Sequence, residues 1–144
     1  MTGTEAEPEI LPFALNRLMA AWNARLAARL EARGATFAQW RVLMVAARAE
    51  GALTIVELAG RTLVPHSTLS RQIAAMARAN LVRRDPAPGD ARAVRVVLTP
   101  RGRARYRELL PLALDETEAG VAPLTRSERA TLARLVARLS EPPR

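Results

Sequence analysis

The chain contains no cysteine, which excludes disulfides, thiolate metal sites and a thiol-based redox switch together. Lysine is absent as well, so all 22 basic residues are arginine. A single histidine, His66, cannot by itself hold a zinc ion, and no metal or other cofactor is expected. Aromatic residues make up only 3% of a chain that is 49% hydrophobic, so the core must be built from Leu, Val and Ala packed between helices. No apolar run reaches the roughly 20 residues that span a bilayer. The N-terminus, MTGTEAEPEI, is acidic and lacks an apolar signal core, which predicts a cytoplasmic protein with no membrane partner. Neither a phosphate-binding glycine loop nor a nucleophile elbow is present, and an enzyme is not expected.

What is present points to a polyanion. The 144 residues suit one domain, and the formal charge of +8 favours a nucleic acid or an anionic membrane surface. The arginines are spread through the chain and form no juxtamembrane cluster, which favours the nucleic acid.

Periodicity predicts a mainly α protein. Leu11, Leu15, Leu18, Trp22, Leu26 and Leu30 recur at spacings of three and four, marking a long amphipathic helix closed by Gly34. A helix of that length at the edge of a small chain needs a partner surface, most simply a second copy of the chain. Three later helix starts share a threonine followed by Gln or Glu three residues on: Thr36 with Gln39, Thr54 with Glu57, and Thr125 with Glu128. The first opens a helix ended by Gly51. The second opens a short helix to about Gly60, then a turn through residues 62–64 and a further helix with Pro65 as its first residue. That helix runs to about Ala79, with Leu69, Ile73 and Met76 inward and Asn80 as a left-handed terminator. Two helices joined by a tight turn form a helix-turn-helix.

Residues 81–84 and 94–98 then read as short strands flanking DPAPGDARA, a Pro-, Gly- and Asp-rich hairpin tip. Thr99 and Pro100 start another helix reaching about Glu118, which Pro111 is expected to kink or split. A last helix carries Leu132, Leu135, Val136 and Leu139.

The segments TFAQWRVL (36–43), TIVELAGRT (54–62), STLSRQIAAMARANLVRR (67–84) and especially DARAVRVVLTPRG (90–102) resemble the MarR family of regulators. The likeness spans roughly residues 10–140. It implies a single domain over 1–144, a winged helix-turn-helix lobe over 36–98 with a small β-hairpin wing, and N- and C-terminal dimerisation helices over 10–34 and 100–140. The expected function is a sequence-specific, ligand-responsive repressor that binds double-stranded DNA as a homodimer on a pseudo-palindromic operator. An architectural, sequence-tolerant DNA-binding protein is the alternative, disfavoured because pure backbone binding needs no polar side chains aimed at bases. Two departures from the family pattern stand out: Val64 and Pro65 where a hydroxyl or acidic cap is frequent, and Asn80 where glycine is.

By this resemblance the recognition helix presents His66, Ser67, Thr68, Ser70, Arg71 and Gln72 to the major groove, with Arg71 or Gln72 able to make bidentate base contacts. His66 reads a base or phosphate, senses pH, or is a plain solvent-facing residue. In the wing, Arg84 and Asp90 are expected to pair and hold the hairpin, leaving Arg92 to enter the minor groove. The run RGRARYR (101–107) either meets phosphate or is a solvated face, and the Arg25, Arg29, Arg33 ladder reads as solvated. Met19, Trp22, Trp40 and Met44 are either core or the lining of a pocket for a small aromatic or anionic effector, with Arg25 as the anion's partner.

Overall fold

A computed structural model describes residues 10–141, with the side chains of Ala87, Asp90, Ala91 and Arg92 outside the described set. Six helices and three short strands follow in the order α1 (Leu11–Glu31), α2 (Phe37–Arg48), β1 (Leu53–Thr54), α3 (Ile55–Thr62), α4 (His66–Arg78), β2 (Val82–Ala87), β3 (Asp90–Leu98), α5 (Pro100–Val121) and α6 (Arg126–Ser140). The mainly helical winged helix-turn-helix read from the sequence is the fold observed.

Local signals account for most boundaries. Gly34 at φ +70° closes α1, as its N–H donates to the Glu31 carbonyl and that of Ala35 to Leu30. Asn80 at φ +58° closes α4 in the same way, with its N–H on Ala77 and that of Leu81 on Met76. The threonine caps divide. Thr54 with Glu57 and Thr125 with Glu128 form complete capping boxes. Thr36 accepts from the Gln39 amide without the reciprocal bond, and its hydroxyl donates instead to Gln72 Oε1 at 3.2 Å.

Several expectations change. The short helix α3 runs on to Thr62, whose buried hydroxyl donates back to the Leu58 carbonyl at 2.6 Å, and Leu63 makes the turn at φ +57°. Pro65 caps α4 from outside, its extended ψ of 141° preceding His66 as the first helical residue. Helix α5 continues through Pro111 to Val121, held on both sides of the proline by buried Leu109 and Leu112. The sheet has a third strand that the sequence did not announce: β1 pairs antiparallel with β3, Leu53 facing Val96, to give the order β1-β3-β2.

One core joins these elements. Leu30, Val42, Leu43, Leu58, Leu69, Ile73, Met76, Val96 and Leu109 are at most 1% exposed and belong to one cluster; each large aliphatic side chain so buried contributes about 1.5–3 kcal/mol. Helix α6 contributes no buried residue. Among the described residues, no helix is long and apolar enough to cross a membrane.

Candidate nucleic-acid interface

Helix α4 is fastened by one face and open on the other. Leu69, Ile73 and Met76, spaced by four and three, point into the core, so His66, Ser67 and Arg71 are left exposed and Thr68 and Ser70 half-buried. No side chain caps its N-terminus, so the first-turn N–H groups and the hydroxyls of Ser67 and Thr68 are open to an anion. The turn before it is pinned from behind. Arg41 lays its guanidinium over the Phe37 ring, 4.5 Å from the centroid, and donates to the Thr62 carbonyl at 3.1 Å. Burial pulls the Arg41 pKa below the usual arginine value.

Gln72 differs from its neighbours. It is half-buried, and its carboxamide oxygen accepts the Thr36 hydroxyl, which ties α4 to the corner between α1 and α2. The sequence groups it with Arg71 as a base reader; here its carboxamide oxygen is already engaged by Thr36.

The wing starts from a tightly built base. Thr99 caps α5 by accepting from the Gly102 amide at 3.0 Å and donates its own hydroxyl to the Asn80 carbonyl at 2.6 Å. A methyl group on Gly102 would overlap the Leu81 carbonyl oxygen, so only glycine lets α5 start against the end of α4. This is the physical content of the Leu-Thr-x-x-Gly pattern at 98–102. The hairpin pairs Val82 with Leu98 and Arg84 with Val96, with an irregularity at Pro86 and Ala87 and Gly89 at φ +79° in the tip. An ion pair at 2.9 Å joins Arg83 to Asp85, raising the arginine pKa and lowering that of the aspartate; both side chains are well exposed, so the pair does little for stability. The expected partnership of Arg84 with Asp90, and the groove contact of Arg92, fall on side chains outside the described set.

The arginine run at 101–107 separates into roles. Arg101 joins Arg83 and Arg84 along an open groove beside Asn80 and Thr99. Arg105 turns inward, pairs with Glu108 at 2.8 Å and donates to the Arg33 carbonyl. Arg103 and Arg107 are exposed.

A second site lies among α1, α2 and α5. Met19, Trp22, Trp40 and Met44 line one cavity of about 200 Å³, together with Asn23, Leu26, Ala113, Glu116 and Thr117. Trp40 stacks on Tyr106 at 5.7 Å between centroids, and Trp22 packs on Gly120, where an added methyl would approach its ring to 2.5 Å. Arg25 stands outside this lining. Its Nε donates to one Glu116 oxygen and Arg29 Nη1 to the other, each at 3.2 Å, while Arg29 Nη2 reaches Asp115 at 3.1 Å. Hydrogen bonds to Asp115 and Glu116 raise the Arg29 pKa. The expectation that these arginines form a solvated ladder is therefore corrected for Arg25 and Arg29. Glu116 went unread in the sequence; its one signal is the acidic pair at 115–116, opposite in charge to Arg25 and Arg29.

Comparison with known proteins points one way. A family model described as the MarR family matches residues 33–93. A transcriptional regulator of the MarR family from Silicibacter pomeroyi is 31% identical, with a TM-score of 0.80 and 94% of each chain covered. Apo MarR from E. coli is 28% identical at a TM-score of 0.79, covering 96% of this chain and 100% of its own. Also 28% identical, at a TM-score of 0.79 over 91% of this chain and 98% of the other, is Bordetella bronchiseptica BpsR, whose DNA binding is regulated by 6-hydroxynicotinic acid. No curated protein sequence matches the chain.

Proposed function

The chain belongs to the MarR family of DNA-binding transcriptional regulators, and from that premise we propose that it acts as a homodimeric, ligand-responsive repressor in the cytoplasm. The observation that carries the dimer is the uncovered apolar surface at both ends of the chain. Leu11, Leu15 and Leu18 of α1 and Leu132, Leu135, Val136 and Leu139 of α6 are all at least 40% exposed. Isologous pairing of residues 10–34 and 100–140 would cover these stripes and hold two lobes, residues 36–98, in fixed relation. The two recognition helices would then enter major grooves about 34 Å apart on a pseudo-palindromic operator. Arg71 reads base edges, while His66, Ser67, Thr68 and Ser70 contact the groove entrance and phosphates. Each wing sends Arg92 into a flanking minor groove, with Arg84 and Asp90 holding the hairpin.

The cavity among α1, α2 and α5 is the candidate effector site, because its walls belong to both the dimerisation helices and the lobe. An effector acts by favouring the dimer conformation whose recognition helices are wrongly spaced.

Footprinting on the DNA flanking the protein's own gene, with sedimentation at micromolar concentration, tests this reading. We expect a two-fold symmetric footprint and about twice the chain mass. Equal affinity for that DNA and random duplex at matched salt would favour the architectural alternative. A monomer that binds operator tightly would remove the dimer.

A further inference from the structure

The charge facing the effector cavity has the opposite sign from the one the sequence suggested. Arg25 was the expected partner for an anion, yet neither Arg25 nor Arg29 belongs to the cavity lining, and both guanidiniums are spent on Glu116. Glu116 is the charged residue that does line the cavity, with its side chain 15% exposed. Each of its oxygens accepts one arginine N–H, which leaves acceptor capacity on both. Two indoles, Trp22 and Trp40, face the same space.

An acceptor beside two indoles suits a flat ring carrying an N–H donor, and a cation over an indole face would gain further from its quadrupole. An aromatic carboxylate would instead find no cation in the lining, since Arg25 and Arg29 lie outside it, and would meet the Glu116 carboxylate there. The volume, about 200 Å³, is smaller than the roughly 300 Å³ at which drug-sized pockets begin, and so suits a single ring. We propose that this cavity takes a small one-ring aromatic with a cationic or neutral N–H donor group, of the amidine or aryl amide class, and rejects aromatic carboxylates. The selectivity rests on the reading of this cavity as the effector site. It sets the chain apart from BpsR, which responds to an aromatic acid.

The test uses three isosteres that differ in charge: benzamidinium, benzamide and benzoate. Trp22 and Trp40 are the chain's only tryptophans and both line the cavity, so quenching of their fluorescence in the full-length protein reports occupancy. Benzamidinium should bind most tightly, benzamide less so, and benzoate at least roughly tenfold more weakly than benzamidinium, because these two differ by two units of charge beside the carboxylate in the lining. Glu116→Gln should collapse that order. Because Glu116 also anchors two arginines, Arg25→Gln is measured beside it. Releasing one Glu116 oxygen should strengthen benzamidinium and leave benzoate no better. If Arg25 were an anion partner, the same substitution would weaken benzoate most.

Benzoate binding tightest, and weakened by Arg25→Gln, would overturn the charge selectivity while leaving the cavity as a ligand site. Quenching that neither substitution alters would place the ring elsewhere and overturn the proposal. Absence of quenching by all three compounds at millimolar concentration would overturn the effector cavity itself.

Discussion

The lobe and the helical ends of this molecule solve the burial problem in different ways. Between Phe37 and Leu98 the core closes within one chain: Trp40, Val42, Leu43, Leu58, Leu69, Ile73, Met76 and Val96 are all buried. At the ends, 21 residues of α1 bury only Leu30 and 15 residues of α6 bury none, although both helices carry leucine at helical spacing. Sequence pattern alone cannot tell these cases apart, because apolar periodicity marks a face that must be covered without saying by what. The lobe's faces are covered within the chain, by its own elements and by Leu30 of α1 and Leu109 and Leu112 of α5; for the exposed stripes of α1 and α6 the proposed second copy is the cover.

The largest effect should follow from breaking the ends while sparing the lobe. Leu135→Glu, alone or with Leu132→Glu, places charge on the exposed apolar face of α6 and replaces no buried residue. We expect sedimentation to show a monomer and operator affinity to fall by roughly 10²–10⁴-fold, the avidity of two linked half-site readers, with the near-ultraviolet signature of the lobe retained. A dimer that survives both substitutions would put the interface elsewhere.

Breaking the junction between the lobe and α5 should act on folding first. Gly102→Ala forces a methyl against the Leu81 backbone carbonyl, and a backbone neighbour cannot rotate away as a side chain can. A loss of about 3 kcal/mol, at the upper end for overpacking, is expected in denaturant unfolding. Gly60 is the control. It lies within α3 with nothing near its added methyl, so Gly60→Ala should stabilise by about 0.5–1 kcal/mol.

The same contrast governs what could be read in advance. Features set within a few residues were legible: the threonine caps, the positive φ at Gly34 and Asn80, and the inward Leu69, Ile73 and Met76. Those set by contacts distant in sequence were not. The strand β1 is two residues long and exists because β3 passes beside it. Glu116 meets Arg25 and Arg29 across 91 and 87 residues. Pro111 removes one donor from α5, but the packing of Leu109 and Leu112 outweighs that local cost. Gly120 lies inside α5 despite its poor helix propensity, and the Trp22 indole, 98 positions earlier in the numbering, occupies the space a side chain there would need. At the interface, the polar stretch after Pro65 was legible, whereas the diversion of Gln72 to Thr36 was not, since its partner lies 36 residues away.

That diversion predicts a split between neighbours. Arg71→Ala should cost roughly 1–3 kcal/mol in operator binding and relax base preference at one position of each half-site. Gln72→Ala should weaken operator and random DNA alike, because it loosens the helix and leaves the bases' readers in place. Thr36→Val removes the other end of the same hydrogen bond and the α2 cap with it, so it should reproduce that uniform loss on DNA without adding to it, while also costing about 0.5–2 kcal/mol of stability. Altered base preference in Gln72→Ala with no effect of Thr36→Val would make Gln72 a reader after all.

The smallest effect compares one device in both regions. Thr54 with Glu57 caps α3 in the lobe, and Thr125 with Glu128 caps α6 at the end, each a complete capping box. In both, the backbone N–H of the threonine is the leading cause that holds the glutamate pKa below its ordinary value of 4.5. A carboxylate whose pKa is depressed on folding stabilises above its unfolded pKa, and that contribution fades as the pH falls through the lower folded value. Both boxes should therefore weaken below about pH 4.5, but different measurements should register them. Glu57→Gln keeps an acceptor without a titrating group, so the lobe's unfolding midpoint should lose part of its acid dependence relative to the unsubstituted chain. Glu128→Gln should leave that midpoint's pH dependence unchanged and instead flatten the acid dependence of the dimer dissociation constant, because α6 buries nothing within its own chain. If Glu128→Gln changed the lobe's unfolding midpoint as Glu57→Gln does, α6 would belong energetically to the lobe, and the division between a core closed within the chain and an uncovered α6 would fail.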